Sequence, residues 1–265
     1  MSIADIFSQP KPVLGVVHLA PLVGSPKYAG DFEEVLGKAI ADAGALVAGG
    51  VDGLIVENFG DAPFFPGRVP PEVVSQMTVA AIAVRSEHPD IPLGLNVLRN
   101  DGVSALAIAL ATGAQFIRVN ILSGARVTDQ GIIQGDAHNL LRERARLGAN
   151  VAICADVSVK HSAPLAEQDM DQEVDDLVHR AHADALIVSG SGTGKTTNLM
   201  DIRRAKNYAG DVPVWVGSGV SANGAAELRE VADGFIVGTA FKKKGLVSEP
   251  VDEERVRSLV GALRP

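Results

Sequence analysis

Eight short runs rich in β-branched residues recur along the chain, with Gly, Asn, Asp or His at or near their ends: VLGVVH (13–18), GLIVEN (53–58), PLGLNV (92–97), QFIRVN (115–120), VAICAD (151–156), ALIVSG (185–190), VPVWVG (212–217) and GFIVGT (234–239). Ala- and Leu-rich stretches with helical spacing lie between them. The stretch DFEEVLGKAIADAGALVAGG opens on Asp31, a suitable N-cap, and PPEVVSQMTVAAIAVRSEH opens on Pro70-Pro71, fit for a helix start. Alternating strand and helix implies a parallel sheet with right-handed crossovers. Eight such units within 265 residues match a closed (β/α)8 TIM barrel. An open doubly wound sheet fits less well, because LAPLVGSPKYAGD follows the first strand where a tight Gly-rich turn into a helix would be needed. No linker-like segment interrupts the pattern, so residues 1–265 are expected to form one domain.

Composition narrows the function classes. The chain is 46% apolar and 21% charged, enough to bury a large core. A net charge of −8 argues against a nucleic-acid backbone as partner. The basic run Lys242-Lys243-Lys244 reads as a helix end or solvated surface. A lone cysteine, Cys154, excludes an intrachain disulfide framework and suits a reducing cytoplasm, where the protein is expected to reside. The opening MSIADIFSQPKP lacks a positive region followed by an apolar run, so no secretory signal is expected. The most apolar stretch, VSALAIALATGAQFI, is too short to cross a bilayer. A homo-oligomer is expected, with Val69-Pro70-Pro71 and the C-terminal helix after Val251 as contact regions.

The segment SGSGTGKTT, residues 189–197, imitates a nucleotide-binding P-loop. That motif needs Gly, four residues, then Gly-Lys-Ser/Thr, so that successive amides wrap the phosphates. Gly194-Lys195-Thr196 would require Gly at position 189, where Ser189 stands, and Gly190 is one residue too close. The segment instead leaves the sixth strand as a glycine-rich loop, putting Ser189 and Gly190 at the rim as substrate-binding candidates. In such barrels the loops after the seventh and eighth strands often hold phosphate through backbone N–H groups. Here they begin Gly217-Ser218-Gly219 and Gly238-Thr239, small residues at the strand ends with two hydroxyl donors. These five are the candidate phosphate ligands.

Side chains on a strand alternate between lumen and helix layer. In the fifth strand, Ala152, Cys154, Asp156, Ser158 and Lys160 share the parity expected of the lumen, with Val151, Ile153, Ala155 and Val157 facing helices. The same rule turns His18, Glu57, Asn96, Arg118 and Asn120 inward at the C-terminal strand ends, where barrel active sites collect. The catalytic candidates are His18, Glu57, Asp156 and Lys160; Asn58, Asn96, Arg118, Asn120 and His161 are expected to bind substrate. His18 or Glu57 would serve as general base or acid. Lys160 reads as a phosphate or carboxylate contact, because Asp156 nearby would raise the pKa that Schiff-base chemistry needs lowered. No cofactor is indicated; a divalent metal on Glu57, Asp156, His18 and His161 is a minority reading, without HxH or HExxH spacing. The fourth loop, LSGARVTDQGIIQG (122–135), is the candidate lid, with Arg126 closing on an anion.

Several of these segments resemble one family. VVHLAPLVGSP (16–26) resembles the HLxPLPGSP opening of the BtpA/SgcQ-like proteins, and IVENFGDAPF (55–64) resembles their ENFGDAPF segment. GLNVLRND (94–101), FIRVN (116–120) and DVSVKH (156–161) are similar to the third-, fourth- and fifth-strand motifs of the family. The resemblance runs from about residue 11 to 245 and implies a barrel of the ribulose-phosphate-binding type. It also implies one of two roles, since the family takes its name from photosystem I biogenesis while other members look like enzymes of carbohydrate metabolism. Val23 departs from the usual Pro, and Lys195 adds a charge where smaller or apolar residues are common.

Two functions therefore stand. One is an enzyme on a phosphorylated small molecule, a sugar phosphate, with isomerase, aldolase or lyase chemistry. The alternative is a non-catalytic factor that assembles or stabilises a membrane complex. An inward ring of ionisable groups favours the enzyme. An assembly factor would present an exposed apolar patch instead.

Overall fold

The computed structural model describes residues 3–190 and 197–264. In chain order its elements are β1 (Val13–His18), α1 (Phe32–Ala48), β2 (Gly53–Glu57), α2 (Pro71–Glu87), β3 (Leu93–Asn96), α3 (Gly102–Thr112), β4 (Phe116–Val119), β5 (Ala125–Thr128), β6 (Gly131–Gln134), α4 (Ala137–Arg146), β7 (Ala152–Val157), β8 (Ser162–Pro164), α5 (Met170–Asp175), β9 (Ala185–Val188), α6 (Leu199–Ala209), β10 (Val214–Val216), α7 (Ala225–Val231), β11 (Gly234–Val237) and α8 (Glu253–Leu263). Eight strands close a barrel in the order β1-β2-β3-β4-β7-β9-β10-β11, every pair parallel. Each of the eight runs read from the sequence supplies one of them. Asp31 accepts the amide of Glu34 at 3.1 Å as the cap of α1, and Pro71 opens α2.

Strand parity divides the apolar residues into two layers. Val13, Val17, Ile117, Ile153, Ala155 and Val157 pack under the helices. Leu14, Val16, Ile55, Phe116, Cys154 and Ile187 fill the lumen instead. The chain before β1 closes the N-terminal end of the barrel. Phe7 sits there 5.7 Å from Phe116 and 5.8 Å from Trp215, rings edge-on. Above this floor the lumen turns polar, so the C-terminal mouth is the end left for chemistry.

Three expectations need correction. The loop 122–135 is a two-stranded hairpin, β5 and β6, to which β8 adds a third strand on the β5 side. Arg126 does not reach for an anion from it: its Nη1 pairs with Glu173 at 3.2 Å and its Nε donates to the Ser162 hydroxyl at 2.7 Å. Lys242 is not solvated; it is buried in an ion pair with Asp42 of α1, whose other oxygen accepts the Val251 amide at 2.8 Å. Val69, offered within a contact region, is buried within the chain itself. Among the described residues no helix is long and apolar enough to cross a membrane.

Candidate active site

Asp156, at the end of β7, organises the lumen mouth. Its carboxylate accepts Arg118 Nε at 3.0 Å and Nη2 at 2.7 Å, a two-pronged pair between side chains that are both almost wholly buried. Asn120 Nδ2 donates to it at 2.8 Å and the Ser189 hydroxyl at 3.4 Å. Asn96 extends the network, donating to the Arg118 carbonyl at 3.0 Å and to Asn120 Oδ1 at 3.2 Å. Buried charges need such pairing. Asp156, expected from the sequence to carry protons, is thus occupied as the anchor of Arg118.

Glu57 and His18 carry no such commitments. Glu57 ends β2 with its carboxylate 3.8 Å from His18 Nε2, and no hydrogen bond reaches that carboxylate among the described residues. Burial pushes the Glu57 carboxyl above its ordinary range, against the pull of Arg118 and Lys160. His18 moves the other way. Burial first, then the charges of Lys242, Lys160 and Arg118, lower its pKa to about 3, so the ring is neutral near pH 7. Its Nδ1 is buried without a partner, and its ring packs edge-on against Phe59 at 4.9 Å.

Lys160 reaches the site from the loop after β7. The chain adopts left-handed backbone at Ser158 (φ 50°) and His161 (φ 57°), which brackets Lys160 in a turn. Burial, then Arg118, lowers its pKa; Glu57 and Asp156 oppose this without prevailing. Asp156 does push the Lys160 pKa upward, as expected, but burial and then Arg118 outweigh it. Arg99 Nη2 holds the Lys160 carbonyl at 2.6 Å.

Two cavities meet at these residues. The first, about 230 Å³, is lined by His18, Glu57, Arg118 and Lys160 on one side and by the loops after β10 and β11 on the other. Gly217, Ser218, Gly219, Gly238 and Thr239 all line it, with Ser221 at its edge. The amides of Gly219, Val220, Thr239 and Ala240 bond to no backbone carbonyl among the described residues. The two strand-end glycines have an additional reason to be small. A Cβ on Gly238 would stand 2.6 Å from His18 Cε1, and one on Gly217 would stand 2.4 Å from Ile187. The second cavity, about 150 Å³, shares Glu57, Phe59, Arg118 and Lys160 and adds Asn96, Arg99, Asn120 and exposed His161. The Oδ1 atom of Asn96 is buried there without a partner. A larger groove of about 360 Å³ lies outside the lumen beside α3, but its Asp101 is spent on the amides of Ser104 and Val69.

The remaining candidates sit apart from the cavities. Asn58 braces the chain, accepting the Leu98 amide at 2.7 Å and donating to Asp61 at 3.0 Å, and lines neither cavity. Ser189 and Gly190 line neither as well, and Lys195 lies outside the described residues. Among the described residues no three His, Cys, Asp or Glu side chains converge to hold a metal ion, and Asp156, one of the four suggested ligands, is taken by Arg118. Sequence reasoning missed Arg99, whose only signal was an Arg three residues past Asn96 at a strand end, and Phe59, which backs His18.

A sequence model of the BtpA family matches residues 9–264. The photosystem I biogenesis protein BtpA of Synechocystis sp. is 47% identical over 99% of this chain and 91% of its own length. An uncharacterised protein of Pyrococcus furiosus is also 47% identical, over 97% of this chain and 96% of its own. An uncharacterised mitochondrial protein of Caenorhabditis elegans is 34% identical over 92% of this chain and 90% of its own. Among solved structures, a chain of Mycobacterium tuberculosis tryptophan synthase superposes with TM-score 0.62 at 19% identity, covering 96% of this chain and 91% of that one. The N-(5'-phosphoribosyl)anthranilate isomerase of Pyrococcus furiosus gives TM-score 0.56 at 15% identity, covering 96% and 98%. These structural likenesses establish the TIM-barrel fold.

Proposed function

The chain belongs to the BtpA family, and from that premise we propose that it is an enzyme acting on a phosphorylated small molecule, a sugar phosphate, by proton transfer at the barrel mouth. One observation carries the reading: Glu57 and Lys160, whose ionisable groups have no hydrogen-bond partner among the described residues, line the same cavity as two loops in which the amides of Gly219, Val220, Thr239 and Ala240 bond to no backbone carbonyl among those residues. Those loops, 217–221 and 238–240, would hold the phosphate. Glu57, its carboxyl tuned upward by burial, would take a proton from a carbon beside a carbonyl and return it, the work of an isomerase, aldolase or lyase. His18, neutral, would hydrogen-bond the oxygen where charge develops, because a ring that titrates near 3 is a poor base at neutral pH but an effective neutral donor. Relatives in archaea and an animal favour an activity that does not depend on a photosynthetic membrane.

The test is thermal unfolding with inorganic phosphate, ribose 5-phosphate, glyceraldehyde 3-phosphate and the unphosphorylated sugars. A ligand at a hundred times its Kd adds about 2.7 kcal/mol. The phosphorylated compounds should raise Tm and the free sugars should not. Ser221→Asp, at the exposed edge of the cavity, should remove the shift by charge repulsion without striking His18 as any side chain at Gly238 would. Equal responses to phosphorylated and free sugars would discard the phosphate site.

The assembly-factor reading has one observation of its own. Val127, Ile132 and Leu165 are exposed together on the outer face of the small sheet, a surface available to another protein. The same screen separates the two, since that role predicts no response to any small anion.

A further inference from the structure

Lys160 is the ionisable group at the barrel mouth that proton transfer leaves without a task. Its side chain lines both cavities, so it stands where they join and not only beside the amide-rich loops. Its ammonium forms no hydrogen bond or ion pair among the described residues. Lys242, the other lysine buried near the mouth, is fully engaged by Asp42. The carboxylate nearest in sequence, Asp156, has its oxygens filled by Arg118, Asn120 and Ser189. The backbone that carries Lys160 is fixed, with left-handed residues on either side and Arg99 on its carbonyl. A lysine held in place, shielded and unpaired between a phosphate-sized cavity and a second polar cavity is arranged to act through its nitrogen. A phosphate contact alone would not place it against the second cavity.

We propose that Lys160 is an amine nucleophile that forms an imine with the carbonyl carbon of a phosphorylated aldehyde or ketone. This deepens the function proposed above and rests on it for the phosphate. In the first step the neutral amine nitrogen forms a bond to the carbonyl carbon, and the displaced electron pair on oxygen takes the proton that the nitrogen sheds, giving a neutral carbinolamine. Glu57 in its protonated form then donates to the departing hydroxyl, water leaves, and the nitrogen lone pair closes the C=N bond as an iminium. The Glu57 carboxylate so formed is the base that removes the neighbouring C–H proton, with the iminium accepting the electron pair. Water reverses the sequence and frees the amine, so no outside oxidant or reductant is needed. The pKa of Lys160, lowered by burial and Arg118 against Glu57 and Asp156, with Arg99 adding to the lowering, gives it a larger share of free amine than an ordinary lysine. Asn96 Oδ1, buried without a partner in the second cavity, offers an acceptor to a substrate hydroxyl.

The experiment is reductive trapping. Wild type and Lys160→Arg are incubated with glyceraldehyde 3-phosphate, ribose 5-phosphate or unphosphorylated glycolaldehyde, reduced with cyanoborohydride, and mapped by peptide mass spectrometry. The expected result is labelling of Lys160 at least about tenfold ahead of exposed Lys38 and Lys244, since burial raises the share of free amine and the cavity holds the carbonyl beside it. Lys160→Arg, which keeps the charge, should lose that label alone, and Glu57→Gln should slow it. Labelling that merely follows exposure, with Lys160 no faster than the surface lysines toward glycolaldehyde, overturns the proposal even if phosphate still raises Tm. Preferential labelling of Lys160 by glycolaldehyde with no response to phosphate keeps the amine and discards the phosphate site.

Discussion

His18 and Glu57 illustrate how one environment moves two residues in opposite directions. Burial disfavours charge on either, so the imidazole sheds its proton readily and the carboxyl keeps its own. For His18 the folded pKa of about 3 lies below the ordinary 6.5. Its contribution to stability is therefore complete above pH 6.5 and is lost as pH falls toward 3, where the unfolded chain binds a proton that the folded chain refuses. Each unit of that descent costs about 1.4 kcal/mol. Glu57 works the other way, favouring the fold in acid and losing that contribution as pH rises through its raised pKa. Urea titrations of wild type and His18→Gln between pH 6.5 and 3 should show a shallower loss in the variant, and the His18 ring should remain neutral by NMR at pH 5. An imidazolium signal at pH 5 would contradict the burial argument. Period-two alternation is enough to place His18, Glu57, Asn96, Arg118 and Asp156 at the mouth, because parity fixes the face a strand residue occupies. It cannot tell that Arg118 consumes Asp156, since which neighbours pair depends on register between strands. Asn58 shows the same limit: it lies one position beyond Glu57, on the wrong parity, and serves the loop.

At the scale of elements, the small sheet β5-β6-β8 is the part least visible in the sequence. ARVTDQGIIQ has short apolar runs with little alternation, and β8 pairs with β5 across more than thirty residues. Its inner face is held by Arg126, Glu173 and Ile133, whose partners come from distant segments. Glu173 binds Arg126 on one side and both the amide and hydroxyl of Ser158 on the other, at 3.0 Å and 2.9 Å. It therefore ties this sheet to the turn that presents Lys160. Arg126→Ala leaves Glu173 half-satisfied and should loosen the sheet locally, at about 1–3 kcal/mol. Hydrogen exchange should accelerate about tenfold or more across 125–134 and 158–164, while amides of the barrel strands keep their protection. Uniform acceleration across the barrel would instead mean that the sheet and barrel unfold as one unit.

For the whole molecule, the repeating strand-and-helix rhythm made the closed barrel legible, because each parallel strand needs a crossover and eight of them exhaust the chain. The floor was not legible. Phe7 belongs to a segment with no periodicity, and its fit against Phe116 and Trp215 is a matter of shape. Phe7→Ala should lower stability by about 3 kcal/mol in urea unfolding, the loss expected for a buried ring. A loss below about 1 kcal/mol would show that the segment rests on the barrel without sealing it. With that end shut, the lumen opens at its C-terminal mouth among the described residues. A substrate that entered past 217–221, as proposed, would back out the same way, so a spent molecule still in the cavity would block the next arrival, and the two would compete for a single place in the queue.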